Sequence, residues 1–129
     1  GIPRIGYQTN YMPGFWYYQT DKKVDHNFTQ MNELTNYLKM RESIKLDGSV
    51  LVFNPVPEDK AIDKKLVQGW IKSSVNKAKK NFIEGKELTP YLIDQINKLS
   101  KNKTLEANKE LIINNAKLAS RLAVNFNQN

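Results

Sequence analysis

The 129-residue sequence has no cysteine. Disulfides, thiolate metal sites and a cysteine nucleophile are therefore excluded. It has one histidine, His26. That rules out a multi-histidine zinc site and makes any serine–histidine–aspartate arrangement depend on a single residue. No run of about 18 apolar residues occurs, so no membrane-spanning helix is expected. The first residues, Gly1 to Tyr7, lack the basic, apolar and small-residue regions of a signal peptide. Nothing suggests secretion, and a cytoplasmic location is expected. An initiator methionine is also missing, as in a piece cut from a longer protein.

What is present fits a soluble globular class: 40% hydrophobic and 26% charged residues. A chain of this length can bury roughly two-thirds of its unfolded surface in one domain. Twenty basic against thirteen acidic residues give a net charge of +7, which suits an anionic partner. The lysine pairs are short, scattered and accompanied by many asparagines, however, as in a compositional bias rather than a basic stripe. Neither a nucleic-acid polymer nor a membrane is expected as a partner. A small phosphate-bearing substrate would need only two or three of these charges.

Ile2 to Tyr7 reads as a short buried strand, with Gly6 allowing close backbone approach. Pro13-Gly14 marks a turn in an aromatic loop that precedes a short edge strand. Thr29 is the expected N-cap of a helix to about Lys45, with Met31, Leu34, Leu38 and Arg41 on its inward stripe. Ser49 to Phe53 is β-branched and apolar, as in a parallel strand covered on both faces. Pro55 and Pro57 end it, since neither can donate a ladder hydrogen bond.

A helix from about Asp63 to Lys80 carries Leu66, Val67, Trp70, Ile71, Ser74, Val75 and Ala78 at helical spacing. Thr89-Pro90 supplies a cap and first-turn proline for the next helix, built on Leu92, Ile93, Ile96 and Leu99. Thr104 is expected to cap the last and longest helix. Its inner stripe is Leu105, Asn108, Leu111, Ile112, Asn115, Leu118, Ala119 and Leu122. The Asn-rich end, Asn125 to Asn129, is expected to fray. The fold class is therefore α/β: few strands with about four helices, part of an α/β/α sandwich. Two or three strands make a thin sheet that asks for neighbours.

Several residues are candidates for chemistry, each with a plainer alternative. Asn54 follows a strand, where open α/β sheets gather ligands; it is equally suited to an Asx turn. Asn108 and Asn115 lie seven residues apart on an otherwise apolar helix face. A buried amide without partners costs ~1–3 kcal/mol, so each needs neighbouring backbone or a ligand with donors and acceptors, such as a pyrimidine edge. Lys86 and Thr89 lie in a segment that leads into a helix N-terminus, where amide groups favour anions. Lys86 is then either a phosphate clamp or an exposed partner of Glu87. His26 reads as a surface loop residue. The aromatic loop either stacks on a base or fills core. Glu58, Asp59 and Asp63 read as charges favouring a helix N-terminus rather than as metal ligands.

Four segments carry a family resemblance. Gly1 to Thr9 resembles G-V-P-x-I-G-Y-Q-T, and Gly48 to Glu58 resembles G-G-x-L-V-A-N-P-I-P-E. Gly85 to Leu92 is similar to G-K-E-x-T-P-F-L. Thr104 to Asn108 and Asn114 to Ala119 resemble S-L-x-x-N and N-N-A-x-L-A. Together they resemble the C-terminal part of the pseudouridine 5′-phosphate glycosidase family, which includes the indigoidine-cluster A proteins. Three positions depart from its pattern: Ser49 for a glycine, Phe53 for a small residue and Asn27 for an arginine.

The resemblance implies a homotrimeric α/β/α enzyme that reversibly cleaves the C–C glycosidic bond of pseudouridine 5′-phosphate to uracil and ribose 5-phosphate, assisted by manganese. It implies a lysine that attacks the sugar C1′ carbon and a glutamate acid/base. Imine formation on the opened sugar would make a bond without a good leaving group cleavable. Those residues, the metal ligands and most phosphate contacts are expected in an N-terminal portion outside this chain, which itself supplies no catalytic residue or metal ligand. Asn108 is the residue carried over, as a partner of the uracil ring. Asn54, Lys86, Thr89 and Asn115 are expected at the rim or behind it. The alternative is a non-catalytic member of the same fold that serves binding or assembly.

Overall fold

In a computed structural model describing residues 1–128, Arg4–Tyr7 (β1), His26–Phe28 (β2) and Leu51–Phe53 (β3) form one parallel sheet. The strand order is β2–β1–β3, so the first strand is central. Four helices follow or intervene: Met31–Ser43 (α1), Lys64–Lys80 (α2), Leu88–Leu99 (α3) and Lys103–Asn127 (α4). Short 3-10 turns at Glu58–Lys60 and Gly85–Glu87 lead into α2 and α3. The architecture is the expected α/β class.

Side chains alternate across a strand, and the register places Ile5 beside His26 and Val52, and Tyr7 beside Phe28. This face packs against α1 and α4: Ile5, Tyr7, Met31, Leu34 and Leu118 form one core cluster, flanked by Phe28, Val52 and Leu122. Ile5 and Leu34 are fully buried, and truncating either to alanine would cost about 2–5 kcal/mol. A second cluster joins the aromatic loop to the other helices. Trp16 and Val56 meet Val67 of α2, Ile96 of α3 and Ala107 of α4.

Gly6 faces away from the first cluster, and a Cβ there would lie 2.0 Å from the Thr9 carbonyl oxygen. The chain doubles back over the strand at this point, with Gln8 in the left-handed region at φ 58°. Thr9 holds the bend. Its hydroxyl donates to the Tyr11 carbonyl at 2.8 Å, and its amide donates to Asn27 Oδ1 at 3.2 Å. Asn27, one of the three departures, therefore ties the loop to β2 and also donates from Nδ2 to Asn10 Oδ1 at 3.1 Å.

Several expectations need correction. His26 is the first residue of a strand, not of a loop; β2 exists because β1 offers it a ladder, a cause invisible to local pattern. The aromatic segment makes no edge strand, and its one ladder-like contact is an antiparallel bridge between Tyr11 and Lys23. The third strand is shorter than Ser49 to Phe53 and is not covered on both faces, since Leu51 remains 48% exposed.

Helix starts also differ. Gln30 rather than Thr29 precedes α1, with its amide donating to the Glu33 carboxylate at 3.2 Å. Thr89 and Pro90 lie inside the first turn of α3, after Glu87 as cap. Thr104 lies in the first turn of α4, after the left-handed Asn102. Its buried hydroxyl donates to Asn97 Oδ1 and meets the Ser100 hydroxyl at 2.9 Å. Asp63, read as a charge at the helix start, caps α2, accepting from the Leu66 amide at 3.0 Å. Leu66, Ile71, Leu105, Ile112, Asn115 and Ala119 lie on exposed faces rather than on the inner stripes. The Asn-rich end is helical through Asn127, with Asn125 and Asn127 donating back to the carbonyls four residues earlier. Asn129 lies outside the described residues.

Candidate functional site

From β1 the chain turns toward β2; from β3, on the other side of β1, it leaves for α2. The carboxyl ends of β1 and β3 thus part, and such a switch point is where open α/β sheets hold ligands. A cavity of about 800 Å³ opens there. Tyr7 of β1 and Gln8 just after it line it, with Asn54 to Glu58 from the segment after β3, and Asn114, Lys117 and Arg121 from α4. A second cavity, of about 470 Å³, shares Asn54 and Leu118 with the first. It lies between Pro13 to Phe15, Val52 to Asn54, and the α4 residues Leu111 to Leu122.

Two adjacent amides of α4 fix the segment after β3. Asn115 Oδ1 accepts from Asn54 Nδ2 at 3.1 Å, and Asn114 Nδ2 donates to the Pro55 carbonyl at 3.0 Å. Two prolines deprive this segment of amide donors, so side chains of a helix hold it instead. The backbone at Gln8 stays in its left-handed form because its amide donates to the Phe28 carbonyl at 2.9 Å and its side chain to the Thr29 carbonyl at 3.3 Å. A non-glycine residue held in this region costs of order 1–3 kcal/mol, and such strain clusters at functional sites.

The structure brings two of the sequence candidates, Asn54 and Asn115, into contact. Asn108, two turns before Asn115, lies deeper on α4. Its Oδ1 is buried without a partner. Lys86, in the α2–α3 connection, and Thr89, in the first turn of α3, are exposed and line neither cavity. Gln8 and Asn114 lie within the motifs that carry the resemblance but are not among the sequence candidates. The signal for Gln8 is a backbone angle, which no local pattern reports. Phe53, where the resemblance has a small residue, lines the second cavity. No group of three or more His, Cys, Asp or Glu residues comes together among the described residues, so they offer no cage for a metal ion. No described helix is long and apolar enough to cross a membrane.

Comparison with known proteins adds to this geometry. The family model described as indigoidine synthase A like protein matches residues 1–125. The chain belongs to that family.

Among curated relatives, the pseudouridine-5′-phosphate glycosidase of Alkaliphilus metalliredigens is 40% identical over 124 residues, covering 96% of this chain and 40% of the relative. That of Brachyspira hyodysenteriae is 36% identical over 126 residues, covering 98% and 41%. The chain thus spans about two-fifths of the length of the curated relatives it matches. The structure of an indigoidine synthase A-like protein from Thermotoga maritima superposes with a TM-score of 0.80 at 29% identity, over 98% of this chain and 41% of that one. The prealnumycin C-glycosynthase AlnA, solved with ribulose 5-phosphate, superposes with a TM-score of 0.89 at 21% identity over the same shares, which is a likeness of fold. Within the indigoidine synthase A-like family, then, this segment keeps its sheet and helices.

Proposed function

We propose that this chain is the C-terminal portion of an enzyme that reversibly cleaves the C–C glycosidic bond of pseudouridine 5′-phosphate, giving uracil and ribose 5-phosphate. The observation that carries the reading is a match along nearly the whole chain to relatives named for this activity. The crevice at the β1 and β3 carboxyl ends supports it, since the fold puts ligands there.

In this reading the attacking lysine and the glutamate acid/base belong to an N-terminal portion of the same protein. The chain described here closes the site from one side. Asn108 presents an amide to the uracil ring, and the Asn54–Asn115 pair holds the rim. Lys86 and Thr89 serve, if at all, from a more distant position. Manganese, when bound, would help to polarise the substrate; its ligands would come from the N-terminal portion. The working assembly is a homotrimer.

The test is to incubate the complete protein with uracil, ribose 5-phosphate and manganese, and to look for pseudouridine 5′-phosphate. Formation of the nucleotide, lost or strongly reduced in Asn108→Ala, is the expected result. A folded complete protein that forms none would leave a binding or assembly role for the fold. Light scattering after size exclusion would test the trimer.

A further inference from the structure

The lining of the 800 Å³ cavity at the strand ends has neutral donors that are already engaged. Gln8 Nε2 donates to the Thr29 carbonyl at 3.3 Å, Asn114 Nδ2 to the Pro55 carbonyl at 3.0 Å and the Ser120 hydroxyl to the Ala116 carbonyl at 2.9 Å. The two cations of the same lining, Lys117 and Arg121, differ: neither forms an ion pair among the described residues. They stand one turn apart on α4, where side chains at i and i+4 are neighbours. Like charges at this spacing repel and weaken a helix. Elsewhere on the helices a lysine meets an acid at such spacing, Lys98 with Asp94 at 2.7 Å and Lys109 with Glu106 at 2.8 Å. The lining has one carboxylate, Glu58, which comes from the segment after β3 and pairs with neither cation.

We infer that Lys117 and Arg121 form an anion site that holds the phosphate of a hydroxylated phosphate monoester, such as a sugar phosphate. Two adjacent cations in a concave wall concentrate a positive field there, and a phosphate dianion answers both. The Arg121 guanidinium can take two phosphate oxygens in a forked contact, and the Lys117 ammonium serves as a point charge for the third. Glu58 can accept from hydroxyls on the rest of the ligand. The cavity has the size of a small-molecule site, and with its neutral donors engaged it favours a charged ligand over a neutral one. Such a phosphate has two sources: the substrate proposed above, or a separate sugar phosphate that acts as an effector. The site is read from the cavity alone and goes beyond the glycosidase reading.

The test titrates ribose 5-phosphate into the complete protein by calorimetry, at low salt and without uracil. Affinity is expected to fall about tenfold in Arg121→Gln, the loss of one charge-assisted contact. It should fall further in the double variant of Lys117→Gln and Arg121→Gln, whereas Lys117→Arg should bind like the parent. Glutamine is a good helix former and both side chains are exposed, so the fold should persist. A second double variant, Lys72→Gln with Lys80→Gln, removes the same charge from exposed α2 positions outside the cavity. Equal weakening by the two double variants, or none by the first, would overturn the inference. Kinetics with saturating uracil then separate the sources, and both outcomes uphold the site. A KM for ribose 5-phosphate raised about tenfold assigns it to the substrate; an unchanged KM beside the calorimetric loss assigns it to an effector. A protein that binds ribose 5-phosphate through these residues yet forms no pseudouridine 5′-phosphate would refute the glycosidase reading and leave the anion site standing.

Discussion

Asn54, the residue after β3, donates from Nδ2 to Oδ1 of Asn115 at 3.1 Å, across 61 positions of sequence. Its neighbour Asn114 does the same service for the Pro55 carbonyl at 3.0 Å. The two bonds differ in surroundings: Asn115 is exposed, whereas Asn114 is half-buried and Pro55 is buried. An exposed bond can be replaced by water, and a buried carbonyl left without its donor cannot.

Asn115→Ala is therefore expected to lower stability by no more than about 0.5–1 kcal/mol, and Asn114→Ala by about 1–3 kcal/mol. Urea unfolding of the two variants side by side checks the order. A larger effect for Asn115→Ala would mean that the rim pair, not the carbonyl clamp, holds the segment after β3.

Gly6→Ala would place a Cβ 2.0 Å from the carbonyl oxygen of Thr9. The obstacle is backbone, and the bend is tied down by the Thr9 bonds to Tyr11 and Asn27, so it cannot swing aside cheaply. The expected loss is on the order of 2–4 kcal/mol, read by chemical denaturation. Stability within about 0.5 kcal/mol of the parent, the usual range for a harmless surface change, would show that the bend can relax.

Arg4 and Asp25 join β1 to the residue before β2 through a forked contact, at 3.2 Å from Nε and 2.6 Å from Nη2, with the Arg4 amide adding a third bond at 2.8 Å. These bonds, the side chain first and the backbone amide second, hold the Asp25 carboxyl down at about 2. A depressed carboxylate stabilises the fold above its ordinary pKa of about 4 and loses that contribution as pH falls through the folded value. The pair is solvent-accessible, so salt should weaken it. Asp25→Asn should thus be less stable than the parent at neutral pH and low salt. The gap should narrow below about pH 4 and close near pH 2. A gap independent of pH would mean that the charge contributes nothing.

Much of this architecture is legible in the sequence wherever local pattern and tertiary environment agree. Helix α2 is expected from the apolar spacing that runs from about Asp63 to Lys80, and α3 from Leu92 to Leu99. β3 is expected from the run Ser49 to Phe53, of which Leu51–Phe53 forms the strand. What could not be read depends on partners distant in the chain. β2 is three residues of mixed polarity, His26-Asn27-Phe28, and becomes a strand only because β1 lies beside it. The candidate site divides in the same way. Asn54 was identifiable as a strand-end residue, and Asn108 and Asn115 as amides on one helix face. Spacing could not tell that Asn115 would be taken up by Asn54 while Asn108 kept an unmatched oxygen. Nor could it tell that Trp16, an aromatic with a plain core reading, would bury an unpartnered donor.

Ser74 provides the control for that last point. It is 1% exposed on α2, and its hydroxyl, like the Trp16 indole and the Asn108 amide oxygen, is buried without a partner. It lines neither cavity at the strand ends. An orphaned hydroxyl with no ligand to await is only a desolvation cost, and alanine is also the better helix former. Ser74→Ala is expected to raise stability by about 0.5–1.5 kcal/mol while leaving catalysis by the complete protein unchanged. Asn108→Ala, at the residue proposed to meet the uracil ring, should instead change uracil use. Loss of stability in Ser74→Ala would reveal an ordered water on its hydroxyl. Such a water would make the same solvation the simplest partner for Asn108, so this variant is also an independent check on the role proposed for that residue.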